Sequence, residues 1–180
     1  MKLYLGCGPG ALHEQHKKVM GDPNEWTFVD YYVHEPHIKN WDARTLPQVA
    51  NDTVEHIYCS HLLEHLPHSE LRTILRTWKD RLIPGGRLTI NVPDLLWVCK
   101  EIARYEQGQL LEGYFCDFDG HHGLLAVLYG SQMHEGEYHK GGFTKRYLKE
   151  ILEEVGFHGV RVEQVFEAHE MGCLIAEAVK

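Results

Sequence analysis

The sequence is poor in the features that would place a chain outside the cell, in a membrane or on nucleic acid. Its five cysteines (Cys7, Cys59, Cys99, Cys116, Cys173) are odd in number, scattered, and nowhere spaced C-x-x-C. Neither a disulfide framework nor a zinc ribbon is indicated, and a reducing compartment, the cytoplasm, is expected. No segment approaches the ~18 consecutive apolar residues of a membrane span. The first residues, MKLYLGCGPG, carry one lysine and a three-residue apolar run, far short of a signal peptide, so none is expected. Positive charge is also in short supply: 18 Lys and Arg against 26 Asp and Glu leave a formal net charge of −8. That balance argues against bulk binding of nucleic acid, which depends on clustered Lys and Arg. Internal repeats, low-complexity tracts and evident linkers are missing too, so a single domain over residues 1–180 is expected, long enough to bury a core.

What the sequence does contain is an alternation of strand-like and helix-like segments. Short apolar runs predict strands at 2–5, 26–30, 38–42, 54–60, 86–93, 159–166 and 172–179. The clearest helix is SELRTILRTWKDRL, from Ser69 to Leu82. Leu71, Ile74, Leu75, Trp78 and Leu82 fall on one face and Arg72, Arg76 and Lys79 on the other. Ser69 is its expected N-cap, and PGG at 84–86 its expected stop. Residues 95–108 and 144–157 predict two more helices, each closed by glycine. The expected fold class is α/β, with right-handed crossovers placing helices on both faces of a mainly parallel sheet.

In such a sheet, ligands dock at the carboxyl ends of the strands. Residues 3–10, LYLGCGPG, set three glycines at alternate positions behind the first strand. Gly6 permits a sharp turn, while Gly8 and Gly10 let the backbone approach a ligand closely. The dinucleotide spacing G-x-G-x-x-G is not met, because position 11 is Ala and Gly10 falls one residue early, which disfavours NAD. WTFVD then ends in Asp30, whose carboxylate at the tip of the second strand can accept hydrogen bonds from both hydroxyls of a ribose. In NWDARTLP, Asp42 and the Ala43 N–H are candidates to read the edge of an adenine.

LYLGCGPG, FVD, WDARTLP, YCSHLLEHL and LIPGGRLTINVP follow in that order over residues 3–94, with GGFTKRYLKEILEEVGF nearer the end. Together these segments resemble the class I S-adenosylmethionine-dependent methyltransferases, and most of all the small ones that begin at the first strand. The resemblance implies a Rossmann-like, doubly wound, three-layer α/β/α fold. Its seven strands would run in the order 3-2-1-4-5-7-6, with strand seven antiparallel. It implies S-adenosyl-L-methionine as cofactor, with Gly6, Cys7, Gly8 and Gly10 around the methionine part and Asp30 on the ribose. Asp42 and Ala43 would flank the adenine, and Ser60 and His61 the sulfonium end. Two departures stand out: Tyr4 occupies a position that is acidic in most members, and only ALHEQHKKVM is left for the first helix.

Methyl transfer from a sulfonium is an in-line displacement, so the protein chiefly holds the acceptor near attack distance in a dry pocket. The N/D-P-P-Y segment of adenine and glutamine methylating enzymes is missing after the fourth strand, where CSHL stands. A small-molecule acceptor is therefore expected rather than a nucleobase amine, with oxygen the first choice of acceptor atom and carbon or nitrogen the alternatives. Residues 108–143 are the expected acceptor-binding cap, rich in aromatics and in His121, His122, His134 and His139. His139, and next His121, are the candidates to take the acceptor's proton. Two other readings compete: a noncatalytic relative that keeps the fold, and a zinc peptidase built on His61-x-x-Glu64-His65, the H-x-x-E-H pattern. That pattern overlaps LEHL, a segment shared with the methyltransferases, and no metal is expected.

Overall fold

The short apolar runs pair into one seven-stranded sheet. The computed structural model describes residues 1–9, 14–109, 114–115, 118–166 and 171–180. In chain order the elements are β1 (Lys2–Leu5), α1 (Glu14–Met20), β2 (Trp26–Val29), β3 (Ile38–Lys39), β4 (Val54–Ser60), α2 (Leu71–Arg81), β5 (Leu82–Pro93), α3 (Leu95–Glu106), α4 (Gly120–Tyr129), α5 (Lys145–Val155), β6 (His158–Phe166) and β7 (Gly172–Val179). The strands lie in the order β3-β2-β1-β4-β5-β7-β6. β1 to β5 pair in parallel, and β7 runs antiparallel to both β5 and β6. This is the Rossmann-like arrangement the motifs implied. A separate two-stranded ladder joins Tyr114–Phe115 to Phe118–Asp119. Among the described residues no helix is long and apolar enough to cross a membrane.

Alternation along the strands sorts side chains onto two faces. Leu3, Leu5, Ile57, Cys59, Leu88, Ile90, Val92, Leu174 and Ala176 point to one side, where they meet the buried stripes of α2 and α5 in a single apolar core. Trp78 is its largest fully buried residue, and its indole Nε1 donates to the Ala43 carbonyl at 2.7 Å. On the other side α1 covers Tyr4, Phe28 and Tyr58, while α3 and α4 bury Val98, Leu124 and Val127 against Cys173.

Two expectations about α2 need correction. Ser69 is not its N-cap: it lies in a 3-10 turn, His68–Glu70, that follows Pro67, and the helix starts after Glu70 with no side-chain cap bond. Nor does the PGG segment stop the helix. Leu82 already turns extended, because burying it beside Val54 on β4 draws the chain into the sheet, and PGG falls inside β5. The other helix signals act as read: Thr144 Oγ1 accepts from Tyr147 N and Gly156 closes α5 at φ +94°. Strand three is only two residues long, and the cap segment contains a helix, α4, that no periodicity announced.

Candidate functional site

A cleft of about 480 Å³ opens at the carboxyl ends of β1, β2 and β4, lined by Gly6, Gly8, Asp30, Asp42, Ala43 and His61 among others. Gly6 makes the turn out of β1 at φ +67°, its N–H donating to the Val29 carbonyl at 2.8 Å. A Cβ there would come within 2.6 Å of Leu62 Cβ, so the position requires glycine on both counts. Gly8 N–H donates to Asp30 Oδ2 at 2.9 Å, and Asp30 Oδ1 accepts from the amides of Tyr32 and Val33 at 2.8 and 3.0 Å. Three backbone amides therefore hold one carboxylate at the rim of the cleft, and the charge-assisted bonds make that position rigid.

Asp42 and Ala43 form the next part of the wall. Arg44 pairs bidentately with Asp42, Nη2 reaching Oδ2 at 2.7 Å, and that hydrogen bonding holds the carboxyl below its ordinary range. Through the Ala43 carbonyl, the loop is also pinned to the indole of Trp78. The exposed rings of Tyr31 and Tyr32 stand beside Asp30, edge to face at 5.2 Å, and Tyr32 meets the ring of His134 from the cap at 5.6 Å. A Cβ on Gly136 would lie 2.5 Å from the Tyr32 ring, which shows how closely this loop lies over the tip of β2. His134, Gly136, Glu137 and Lys140 also line the cleft. The sequence marked His134 as one of the cap histidines, and gave no signal for Gly136, Glu137 or Lys140. The paired tyrosines directly after Asp30 were the signal for the aromatic wall.

Behind the cleft lies a cluster of ionisable groups. His61 has a left-handed backbone, φ +49°, and its N–H donates to the Asn91 carbonyl at 2.9 Å. Leu63–His65 is a 3-10 turn. The two histidines of the H-x-x-E-H pattern therefore do not share the face of an α-helix as a zinc peptidase requires. Glu64 is 1% exposed; its Oε1 lies 3.3 Å from His61 Nδ1, yet neither carboxylate oxygen has a partner in hydrogen-bond geometry. Burial pushes this carboxyl toward its neutral form, but His61, His65 and His139 outweigh it and hold the group below its ordinary range. The rings of His65 and His139 meet edge to face at 4.6 Å. Burial lowers His139 below the ordinary histidine range, partly opposed by Glu64, so it is a neutral imidazole near pH 7.

The remaining sequence candidates lie elsewhere. Cys7 is buried beneath the glycine turn, its thiol pushed up to about 12 by burial and by Asp30. Ser60 is buried on the α1 side of the sheet, with Asn91 Nδ2 at 3.5 Å from its hydroxyl. Neither is among the residues that line the cleft. His139 faces a small cavity beside Glu64 and Phe143 rather than the cleft itself. Gly10 lies outside the described residues; His121 belongs to α4, and its side chain lies outside them as well. Tyr4 is fully buried, its hydroxyl 3.2 Å from His16 Nδ1, and burial raises the phenol far above its ordinary range, so it supplies no charge.

Comparison with known proteins bears on these features. A family profile described as a methyltransferase domain matches residues 3–162. No curated protein matches the chain significantly. Among solved structures, the chain is similar to a SAM-dependent methyltransferase from Archaeoglobus fulgidus, at TM-score 0.64 and 18% identity over 99% of this chain and 85% of that one. It is similar at the same TM-score and identity to the 1,6-didemethyltoxoflavin-N1-methyltransferase of Burkholderia thailandensis, solved with 1,6-didemethyltoxoflavin and S-adenosylhomocysteine, over 99% of this chain and 70% of that one. A third, a possible histamine N-methyltransferase from Thermotoga maritima, gives TM-score 0.59 and 13% identity over 99% and 81%.

Proposed function

The chain belongs to the methyltransferase-domain family, and from that premise we propose that it is an S-adenosylmethionine-dependent methyltransferase that transfers methyl in line to an oxygen of a small molecule. The observation that carries the reading is the Asp30 carboxylate, locked at the rim of an open cleft by the amides of Gly8, Tyr32 and Val33. A carboxylate so placed accepts both hydroxyls of a ribose at little reorganisation cost. The residues around it fit the rest of a nucleoside. Asp42 and the Ala43 amide flank the adenine, the Tyr31 and Tyr32 rings give it an apolar wall, and Gly6 and Gly8 leave the methionine end room beside the backbone. Bound there, the cofactor supplies an electrophilic methyl on sulfur. His61 closes the cleft at that end, and the loop carrying His134, Gly136 and Lys140 shields the acceptor from water. The neighbour solved with 1,6-didemethyltoxoflavin supports a small-molecule acceptor. Of the proposed bases, His139 does not line the cleft but packs against His65, which does, so a proton from an acceptor in the cleft can pass to it through that ring; His121 remains a second candidate in α4.

Calorimetric titration tests the reading. The chain should bind S-adenosylmethionine and S-adenosylhomocysteine one to one, and Asp30→Ala should weaken both by about 100-fold, the loss of two charge-assisted hydrogen bonds. Equal affinity of wild type and Asp30→Ala would sink it. The noncatalytic alternative is separated by transfer of labelled methyl to an oxygen acceptor, which that alternative lacks.

A further inference from the structure

We propose that Glu64, His65 and His139 form a binding site for one divalent transition cation of the zinc class, set in the wall between the cleft and the cap. Their ligand atoms already lie within 4.8 Å of one another. Donors around zinc at 2.0–2.1 Å in tetrahedral geometry are about 3.3 Å apart, so the cluster needs to close by at most about 1.5 Å. Two half-buried imidazoles can do that by turning.

Glu64 is the observation that points to a ligand. It is a carboxylate 1% exposed that lies 3.3 Å from His61 Nδ1 and within 4.8 Å of ligand nitrogens of His65 and His139, with neither oxygen in hydrogen-bond geometry. A buried carboxylate that has ionic neighbours but no hydrogen bond is under-satisfied, and native proteins rarely leave one so. Both histidines are also prepared as ligands. His65 Nδ1 lies 3.3 Å from the Tyr138 carbonyl, which only accepts, so Nδ1 carries the proton and Nε2 keeps its lone pair. The Val127 backbone acts on the His139 ring in the same sense, favouring a proton on the nitrogen that faces it. A ligating histidine whose other nitrogen donates to a carbonyl is the usual outer arrangement of metal sites. The backbone fixes the set as well: the Glu64 carbonyl accepts from the amides of Lys140 at 2.7 Å and Gly141 at 3.0 Å, and His139 N donates to the Tyr129 carbonyl. The bonds from Lys140 and Gly141 bind the cap to the turn after β4.

Two imidazoles and one carboxylate leave coordination positions open, the pattern of a reactive rather than a purely structural site. His65 lines the cleft beside His61, so an open position faces the space assigned to the acceptor. Resting on the methyltransferase reading, the site deepens it: the substrate class is a small molecule whose hydroxyl oxygen coordinates the cation. Coordination lowers the hydroxyl pKa and its proton leaves to solvent. An oxygen lone pair then forms the O–C bond as the C–S bond breaks, its electrons passing to sulfur. His139 thereby acts without touching the acceptor.

The test uses chelator-treated protein titrated with Co²⁺, read by its visible d–d absorption, and then with Zn²⁺ as competitor. Wild type should take up one Co²⁺ per chain, displaced by one equivalent of Zn²⁺. His139→Ala should bind it roughly 100-fold or more weakly, and Glu64→Gln should weaken it as well. His37→Ala, altering an exposed histidine remote from the cluster, should bind like wild type. If wild type and His139→Ala bind Co²⁺ alike, or neither binds, the site does not exist. Glu64→Gln reports only if its circular dichroism is native, and His139→Ala decides the matter regardless. Calorimetry with S-adenosylmethionine on the same samples separates the two readings. Cofactor binding without cobalt binding overturns the metal site alone, and cobalt binding without cofactor binding overturns the methyltransferase reading alone.

Discussion

The two faces of the sheet are built from different chemistry. On the face under α2 and α5, the buried side chains that the strands contribute are apolar, from Leu3 and Leu5 on β1 to Leu174 and Ala176 on β7. On the opposite face the same strands carry Tyr4, His56, Tyr58, Ser60, Thr89 and Asn91, all buried, and farther out the exposed Arg87, Arg161 and Glu177. Transfer of apolar area drives the first face and is insensitive to pH. The second face depends on hydrogen bonds that must all be made, because a buried polar group without a partner costs more than a made bond returns. Mutation on the first face should therefore be large and independent of pH, and on the second smaller and dependent on pH.

Trp78→Ala offers the largest contrast. It empties the centre of the apolar core and removes the bond to the Ala43 carbonyl, so unfolding free energy should fall by about 3–5 kcal/mol. Because Ala43 is on the wall of the cleft, cofactor affinity should fall with it. Denaturant titration at pH 5 and pH 8 should give the same loss; a loss confined to one pH would contradict the division between faces.

The second largest effect belongs to His56. Burial, then Arg87 and Lys2, lower its pKa from 6.5 to about 4, and its Nε2 lies 2.9 Å from Thr89 Oγ1. The unfolded chain takes up a proton near 6.5 while the folded chain does so only near 4, so this stability is present above pH 6.5 and lost as pH falls toward 4. The loss is at most ~3 kcal/mol, less for the part of the ring that water screens. His56→Gln, which cannot titrate, should flatten the stability curve over that window. An unchanged slope would mean that other groups set it.

Local signals made most of the fold legible. The strands were readable because each is a short apolar run bounded by turn residues, and β1, β4 and β7 begin and end where those runs do. The cleft residues were readable for a related reason: Gly6, Gly8, Asp30 and Asp42 sit directly beyond strand ends, where topology alone fixes their place. Ser60 shows the limit. It shares a strand face with His56 and Tyr58, and period-two alternation carries its hydroxyl away from the cleft. α4 escaped because the LLAVLY of its sequence is apolar on every side, which leaves no stripe to detect. The junction of Glu64 and His65 with His139 joins residues more than seventy positions apart, and no spacing rule reaches across a cap.

The smallest effect is also the most specific to the polar face. The hydroxyls of Tyr4 and Tyr58 both lie 3.2 Å from His16 Nδ1, with their rings 4.7 Å apart. Tyr58→Phe removes one of two hydroxyls from a nitrogen that keeps the other, so it should cost about 1 kcal/mol. Tyr4→Phe should cost a similar amount. The double variant strips both hydroxyls from the same nitrogen and should lose more than the two single losses added together, because residues in one network couple. On the apolar face, the paired change Ile57→Val and Leu174→Ala tests the opposite case, since apolar burial carries no such shared atom. Thermal unfolding of the two sets would separate the faces most finely: coupling at Tyr4 and Tyr58 with additivity at Ile57 and Leu174 supports the division, and additivity at both would mean that His16 is not the shared partner that orders the face beneath the glycine turn.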